Sequence, residues 1–221
     1  MDPRQSVKLA YNSIGSDFGT KRTIPWDFVV DWLKDKKLNS QRKLKLLIAG
    51  CGNGRHVRLA NELNFDVKAV DISNAMVNAT IIEEEKLGRD GSNIFISDIC
   101  NLDFEDEEFD LIISIAVLHH LPFDLCDLAL NEFSRVLKKN GEILISCWDR
   151  SAPSVKNGTI DDSDEDVIWV NWTLPDKSKI SRYYHLPVIN KRKLKWSSIK
   201  NLQCIHFELL DSNQLFYFSK N

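Results

Sequence analysis

Four groups of residues in this chain have the types and spacing to do chemistry. Gly50-Cys51-Gly52-Asn53-Gly54 follows the apolar run Leu46-Leu47-Ile48-Ala49 and leads into a helical pattern. Asp71 and Asp98 each close a short β-rich run, and His119-His120 comes just after another. Far along the chain, Arg182-Tyr183-Tyr184-His185 brings a cation, two phenols and an imidazole into four consecutive positions. A glycine turn between strand and helix lets a ligand approach the backbone closely. The dinucleotide form is G-x-G-x-x-G, whereas here the third glycine comes one residue early and Arg55 stands where a small residue is wanted. No G-x-x-x-x-G-K-[S/T] occurs, which excludes a P-loop. The turn suits a compact cofactor such as S-adenosylmethionine. Asp71 is placed to accept both hydroxyls of a ribose, and Asp98-Ile99 to accept the adenine amino group and cover its ring. Cys51, Asn53, Ile72 and Ala116 complete the candidate cofactor set. The alternative is a plain strand-to-helix turn with Asp71 and Asp98 as helix caps.

Positioning these groups requires a sheet whose strand ends converge. Strands are expected at 44–49, 67–71, 93–97, 109–115 and 142–148, alternating with helices at 54–63, 73–87 and 124–138. Ser73 reads as an N-cap, Gly88 as a residue just past a helix end, and Asn140-Gly141 as the close of the third helix. Pro25 with Trp26, Val29, Val30 and Leu33 predicts an amphipathic helix over the sheet. The alternation implies an α/β fold with a mostly parallel sheet covered on both faces. Residues 149–166 read as a polar connection, and the runs 204–209 and 214–218, separated by Asp211-Ser212-Asn213, as a C-terminal antiparallel hairpin. One domain over 1–221 is expected: an N-terminal helical cover at 1–43, a cofactor core at 44–148, and a substrate-facing part at 149–221.

Composition narrows the classes. With 43% apolar residues, 221 positions suffice for one sizeable core. No run of about 18 apolar residues is present and the first ten residues lack a signal-peptide core, so a soluble intracellular protein is expected, with no membrane partner. Five cysteines without a C-x-x-C pair read as buried thiols, and five histidines without ligand spacing argue for no metal. A D/N-P-P-Y/F turn for amino-group methylation is missing, as is a Pro-Cys nucleophile for carbon methylation. Oxygen methylation or a small-molecule acceptor remains. His119 and His120 are the first acid–base candidates, and because adjacent residues leaving a strand point apart, only one is expected to face the substrate. Trp148 either walls the pocket or covers the sheet.

The span 44–148 resembles the class I S-adenosylmethionine-dependent methyltransferases, which implies a seven-stranded mostly parallel sheet with helices on both faces. That family usually carries an acid two residues before the first glycine, and here Ile48 stands there. Further motifs narrow the resemblance: Tyr11-Asn12-Ser13-Ile14 through Phe18, Arg22 and Pro25-Trp26; Ser114 to His120; Cys147-Trp148; Asp166-Val167, Trp172 and Leu174-Pro175; and Arg182-Tyr183-Tyr184-His185-Leu186. Together they are similar to the eukaryotic tRNA wobble-uridine carboxymethyl methyltransferases. The long polar insert common before the last motif is trimmed, and Gln214-Leu215-Phe216 replaces a common Trp pair. The resemblance implies methyl esterification of 5-carboxymethyluridine in the tRNA anticodon region. A carboxylate is ionised at neutral pH and needs no strong base, so the site should orient rather than deprotonate. Arg22, His119, Tyr184 and His185 are then the catalytic candidates, and Trp148, Arg182, Tyr183, Lys191, Arg192 and Lys193 the substrate and tRNA candidates. The last three belong to a basic tract that also holds Lys177, Lys179, Lys195 and Lys200. The family further implies a small zinc-binding activator protein pairing along the third strand, an edge in this sheet order whose Asn93 to Ser97 carry no lysine or proline. Location in the cytoplasm, and also the nucleus, is expected. A quinone- or sterol-type small-molecule methyltransferase and a catalytically silent scaffold are the competing readings.

Overall fold

The computed structural model describes residues 2–196, 199 and 201–221. The chain begins with α1 (Pro3–Lys21) and α2 (Asp27–Leu38). It then alternates through β1 (Lys45–Ala49), α3 (Arg55–Glu62), β2 (Asp66–Asp71), α4 (Asn74–Lys86), β3 (Ile94–Ile96), β4 (Phe109–Ile115), α5 (Phe123–Val136) and β5 (Leu137–Trp148). The last third forms β6 (Thr159–Ile160), β7 (Val167–Thr173), β8 (Lys179–His185), α6 (Ile189–Trp196), β9 (Leu202–Leu210) and β10 (Asn213–Lys220).

Seven strands make one sheet in the order β3-β2-β1-β4-β5-β10-β9, parallel from β3 to β5 and closed by the antiparallel β9–β10 hairpin. Its strands are apolar runs because both faces are covered. Successive residues alternate sides: Leu47 and Ala49 pack with Ala129, Leu130 and Phe133 of α5, while Leu46 and Ile48 pack with Val29 and Leu33 of α2 and Val57 of α3. Ser73 caps α4 by accepting from the Met76 N–H, and Gly88 follows that helix at φ +72°. The hairpin turn at Asp211 and Ser212 lies where the sequence puts it. The third helix is shorter than expected. It stops at Val136, because Leu137 is drawn into β5 opposite Phe109.

Two features place the site. First, α1 carries Val7, Tyr11, Ile14 and Phe18 at helical spacing and lays them against α4 and a second sheet, β6-β7-β8. Gly15 permits the approach to α4, since a Cβ there would lie 2.7 Å from that of Ala75. Second, β7 and β8 pair in the register Val170↔Arg182 and Ile168↔Tyr184, which puts Arg182 and Tyr184 on one face. β6 falls within the stretch expected as a plain connection.

Candidate functional site

The ends of β1, β2 and β4 and the Ser97–Ile99 turn open onto one cleft, covered by side chains from α1, β7 and β8. At its floor the glycine turn runs through positive φ, +86° at Gly50 and +56° at Gly52. A Cβ on Gly50 would lie 2.2 Å from Val117 Cγ2, so only glycine lets the turn sit beside the end of β4. The Gly52 N–H donates to Asp71 Oδ2 at 2.9 Å, and the Ser73 N–H to Asp71 Oδ1 at 2.9 Å. Burial raises the Asp71 carboxyl, opposed by those backbone donors. Each Asp71 oxygen keeps a lone pair for a ligand hydroxyl. Asn53 Nδ2 donates to the Arg22 carbonyl at 2.8 Å and ties the turn to the α1–α2 connection. Cys51, Ile72, Ile99 and Ala116 also line the cleft, Ala116 in a left-handed backbone conformation at φ +59°. Gly54 does not line it; this residue starts α3 and faces Thr80.

Asp98 differs from expectation in one respect. Its Oδ1 accepts the Cys100 N–H and its Oδ2 receives Arg4 Nη1 at 3.1 Å, so an ion pair from α1 already occupies the carboxylate assigned to adenine. S-adenosylmethionine fits the remaining chemistry: a ribose acceptor at Asp71, an apolar ring cover at Ile72 and Ile99, and a glycine backbone without side chains at its narrowest point. Ile48, at the position of the family's acid, is buried with Leu46 and does not line the cleft.

The other half of the cleft is built from side chains. Leu118–His120 forms a 3-10 turn rather than extended chain, so His119 and His120 lie side by side, ring centroids 4.5 Å apart, and both line the cleft. This corrects the expectation that only one would. Their protons follow from their partners. His119 Nδ1 accepts the Trp148 N–H at 3.3 Å, which leaves Nε2 protonated as a donor. His120 Nδ1 is 2.8 Å from the Tyr183 carbonyl and must donate to it, so His120 Nε2 accepts the Tyr11 hydroxyl at 2.9 Å. Burial holds His119 well below the ordinary imidazole value, aided by His120, Arg192 and Arg182, and holds His120 at about 3. Both are neutral at neutral pH, and the acceptor nitrogen of each is already engaged, by the Trp148 N–H and by the Tyr11 hydroxyl.

Arg182 is 4% exposed and stacks over Trp172 and Tyr184, 5.1 and 5.2 Å from the ring centroids. Its Nε has no partner, and among the described residues no carboxylate pairs with it. Burial works against its charge, and the Tyr11 and Tyr184 hydroxyls more than offset that. Trp172 is held by Nε1 donating to Asp17 Oδ2 at 2.6 Å, with Lys21 over its ring, which fastens α1 across the cleft. Trp148 lines the cleft and stacks on His119 at 5.8 Å and 26°, so it walls the pocket. Arg22 lies exposed at the rim.

Other candidates lie elsewhere. Strand alternation turns the Tyr183 ring towards Val7 and Trp169, and only its carbonyl serves the site. His185 does not line the cleft; it packs on Phe123, and burial holds it at about 4. Arg192 is wholly buried, donating to the His185 carbonyl at 2.6 Å between Phe123 and Trp196, so it is not a phosphate contact. Lys191 is paired with Asp166, Lys195 with Asp127, and Lys193 lies over Phe207. Lys200 is outside the described residues. Sequence reasoning missed Arg4, Phe18, Trp26 and Trp172 as site residues. The helical spacing of Val7, Tyr11, Ile14 and Phe18 was the available signal for the α1 contribution. Among the described residues no cluster of His, Cys, Asp and Glu has metal-site geometry, and no helix is long and apolar enough to cross a membrane.

A methyltransferase-domain family model matches residues 47–145. The tRNA (carboxymethyluridine(34)-5-O)-methyltransferase of Saccharomyces cerevisiae is 30% identical over 179 residues, covering 80% of this chain and 59% of that protein. The enzyme of the same name from Schizosaccharomyces pombe is 28% identical over 193 residues, covering 86% and 74%. The chain thus spans about three-fifths of the budding-yeast relative. An S-adenosylmethionine-dependent methyltransferase from Clostridium acetobutylicum shares the fold, with TM-score 0.72, 14% identity, and coverage of 96% of this chain and 99% of that one. The seven-strand order, the glycine turn and these matches agree, and the chain belongs to the class I methyltransferase family that contains the tRNA carboxymethyluridine methyltransferases.

Proposed function

We propose that this chain esterifies the carboxylate of 5-carboxymethyluridine at the tRNA wobble position, using S-adenosylmethionine as methyl donor. The observation that carries the reading is Arg182: a buried guanidinium, walled by two aromatic rings, without an acid partner, facing the cleft. A buried cation left unpaired is costly unless a ligand completes it, and a guanidinium matches a carboxylate in shape and charge. Bound in the glycine-lined half, the cofactor supplies an electrophilic methyl group. The acceptor oxygen is already anionic, so the protein has no proton to remove. Arg182 orients the carboxylate, Tyr11 and Tyr184 hold Arg182, and His119 Nε2–H offers a second donor. Aromatic walls exclude water, which strengthens these charge interactions.

The same reading includes RNA binding in the anticodon region, a cytoplasmic and nuclear location, and an activator partner of the small zinc-binding class at β3. That strand is a sheet edge, and Phe95 and Ile96 are 38% and 52% exposed. Labelled methyl transfer to tRNA from cells lacking the gene, followed by nucleoside analysis, tests the reading. The expected product is 5-methoxycarbonylmethyluridine, lost after ribonuclease treatment of the substrate. Transfer to lipid-soluble small molecules and none to tRNA contradicts it.

A further inference from the structure

A second groove continues the cleft. It shares Arg22, Trp26 and Trp148 with the main cleft, its far wall being Ser154 with Ser212 and Asn213 of the β9–β10 turn. We infer that this groove is a subsite for the nucleotide next to the methylated one, its base lying along the indoles and its phosphate at Arg22. The inference rests on the proposed RNA substrate.

The chemistry of the lining points to a nucleotide. Aromatic faces beside a cation are the pattern that stacks a base and tracks its phosphate. Arg22 is exposed, and among the described residues its guanidinium has no acid partner. It stands where groove and cleft meet, which is where the phosphate joining two nucleotides must pass. The junction is fixed from below: Asn53 Nδ2 holds the Arg22 carbonyl, Arg55 Nη1 holds the Ile24 carbonyl at 3.2 Å, and the Arg55 guanidinium lies 5.4 Å from the Trp26 ring. The opposite end carries Asp211, an acid that disfavours a phosphate there and so sets the direction of the ligand.

The far wall is held in a costly shape. Asp211 and Ser212 sit at φ +47° and +63°, a two-residue hairpin turn usually made by Asn-Gly. The Ser212 carbonyl accepts the Asp149 N–H at 2.8 Å, and Gln214 Nε2 donates to Asp149 Oδ2 at 3.0 Å. These bonds pin the turn beside the groove. Asn213, 2% exposed, lines it and has an unpartnered Oδ1. Gln214 thus anchors the wall.

Binding of 5-carboxymethyluridine as the free nucleoside and as dinucleotides extended on either side, measured by tryptophan fluorescence on the full chain, tests the inference. One of the two dinucleotides is expected to bind about tenfold or more tighter than the nucleoside, the scale of one stacked base. Ser154→Trp, which fills the groove, is expected to bring that ratio near one, and Asn213→Leu to lower it less. Because the readout is a ratio within one preparation, a partly unfolded variant does not mimic the effect. A ratio near one in the unaltered protein, or one that Ser154→Trp leaves in place, overturns the subsite. Methyl transfer to an anticodon stem-loop is scored alongside. Its absence, with the dinucleotide preference intact, overturns the proposed reaction and not the groove.

Discussion

The two halves of the cleft are built by different means. In the cofactor half, the lining comes from the turns that follow β1 and β2 and from the Asp98 turn after β3: glycine backbone, Asp71 and Ile99. In the acceptor half, Tyr11, His120, Arg182, Tyr184 and Trp172 arrive from α1, a 3-10 turn and two strands of a separate sheet. The first half is backbone geometry fixed by local sequence; the second is a set of side chains that exists only once distant segments dock. The acceptor half can therefore be altered while the methyl-donor half stays with the sheet.

The largest expected effect separates the halves outright. Arg182→Met is expected to lower kcat/KM for carboxymethyluridine tRNA by about a hundredfold or more, the upper end of one charge-assisted pair, while cofactor affinity stays within about twofold. Melting temperature is expected to change by only a few degrees, because the lost contacts to Tyr11, Tyr184 and Trp172 are set against the removal of a buried charge. Kinetics, calorimetry and a thermal melt read these three outcomes. A cofactor affinity that falls with activity would show the halves to be coupled.

The converse variant, Asp71→Ala, is expected to weaken S-adenosylmethionine binding by about ten- to a hundredfold, on the scale of about 1.5–3 kcal/mol for charged hydrogen bonds. Calorimetric titration checks it, with far-UV circular dichroism confirming the fold, since Gly52 and Ser73 lose their acceptor.

What sequence made legible follows the same division. Each part of the cofactor half is encoded within a few residues: an apolar run, a glycine turn, an acid at a strand end. The C-terminal hairpin was readable too, and the edge position of the third strand followed from the family resemblance. The acceptor half was legible only in pieces. The Arg182 to His185 run was visible, but which members face the cleft depends on the β7–β8 register, and that register sets Arg182 and Tyr184 inside and Tyr183 and His185 away. Arg192 looked like a phosphate contact in a basic tract. Helix α6 instead turns it inward between Phe123 and Trp196, a packing decision with no local signal. The histidine pair misled because extended geometry was assumed for a segment that forms a tight turn.

A moderate effect concerns pH. His120 and His185 are held at about 3 and about 4 by burial, below the ordinary value near ~6.5. The folded protein therefore binds fewer protons than the unfolded chain between those values. The stability these histidines contribute is present above pH ~6.5 and is lost as pH falls towards 4 and then 3. Thermal melts are expected to drop by several degrees from pH 6.5 to 4.5, and by less in His120→Gln. Single-turnover transfer, in contrast, is expected to show no inflection between pH 6 and 8. An inflection there, or rescue of His119→Ala by imidazole, would restore a general base to the acceptor half.

The smallest effect belongs to the basic helix. Lys191 and Lys195 are already paired and Arg192 is buried, so Lys193→Ala is expected to weaken tRNA binding less than about threefold and to lower the salt slope by no more than about one. Filter binding at several salt concentrations measures it.

The central claim is that Arg182 recognises a carboxylate. It is tested most directly by comparing an anticodon stem-loop carrying 5-carboxymethyluridine with one carrying the uncharged amide, 5-carbamoylmethyluridine, in the unaltered protein and in Arg182→Gln. Binding is expected to favour the acid by about tenfold or more in the unaltered protein and by less than about twofold in Arg182→Gln, the difference being the charge-assisted pair alone. An acid preference that survives Arg182→Gln would mean that another group reads the carboxylate, and would contradict the account.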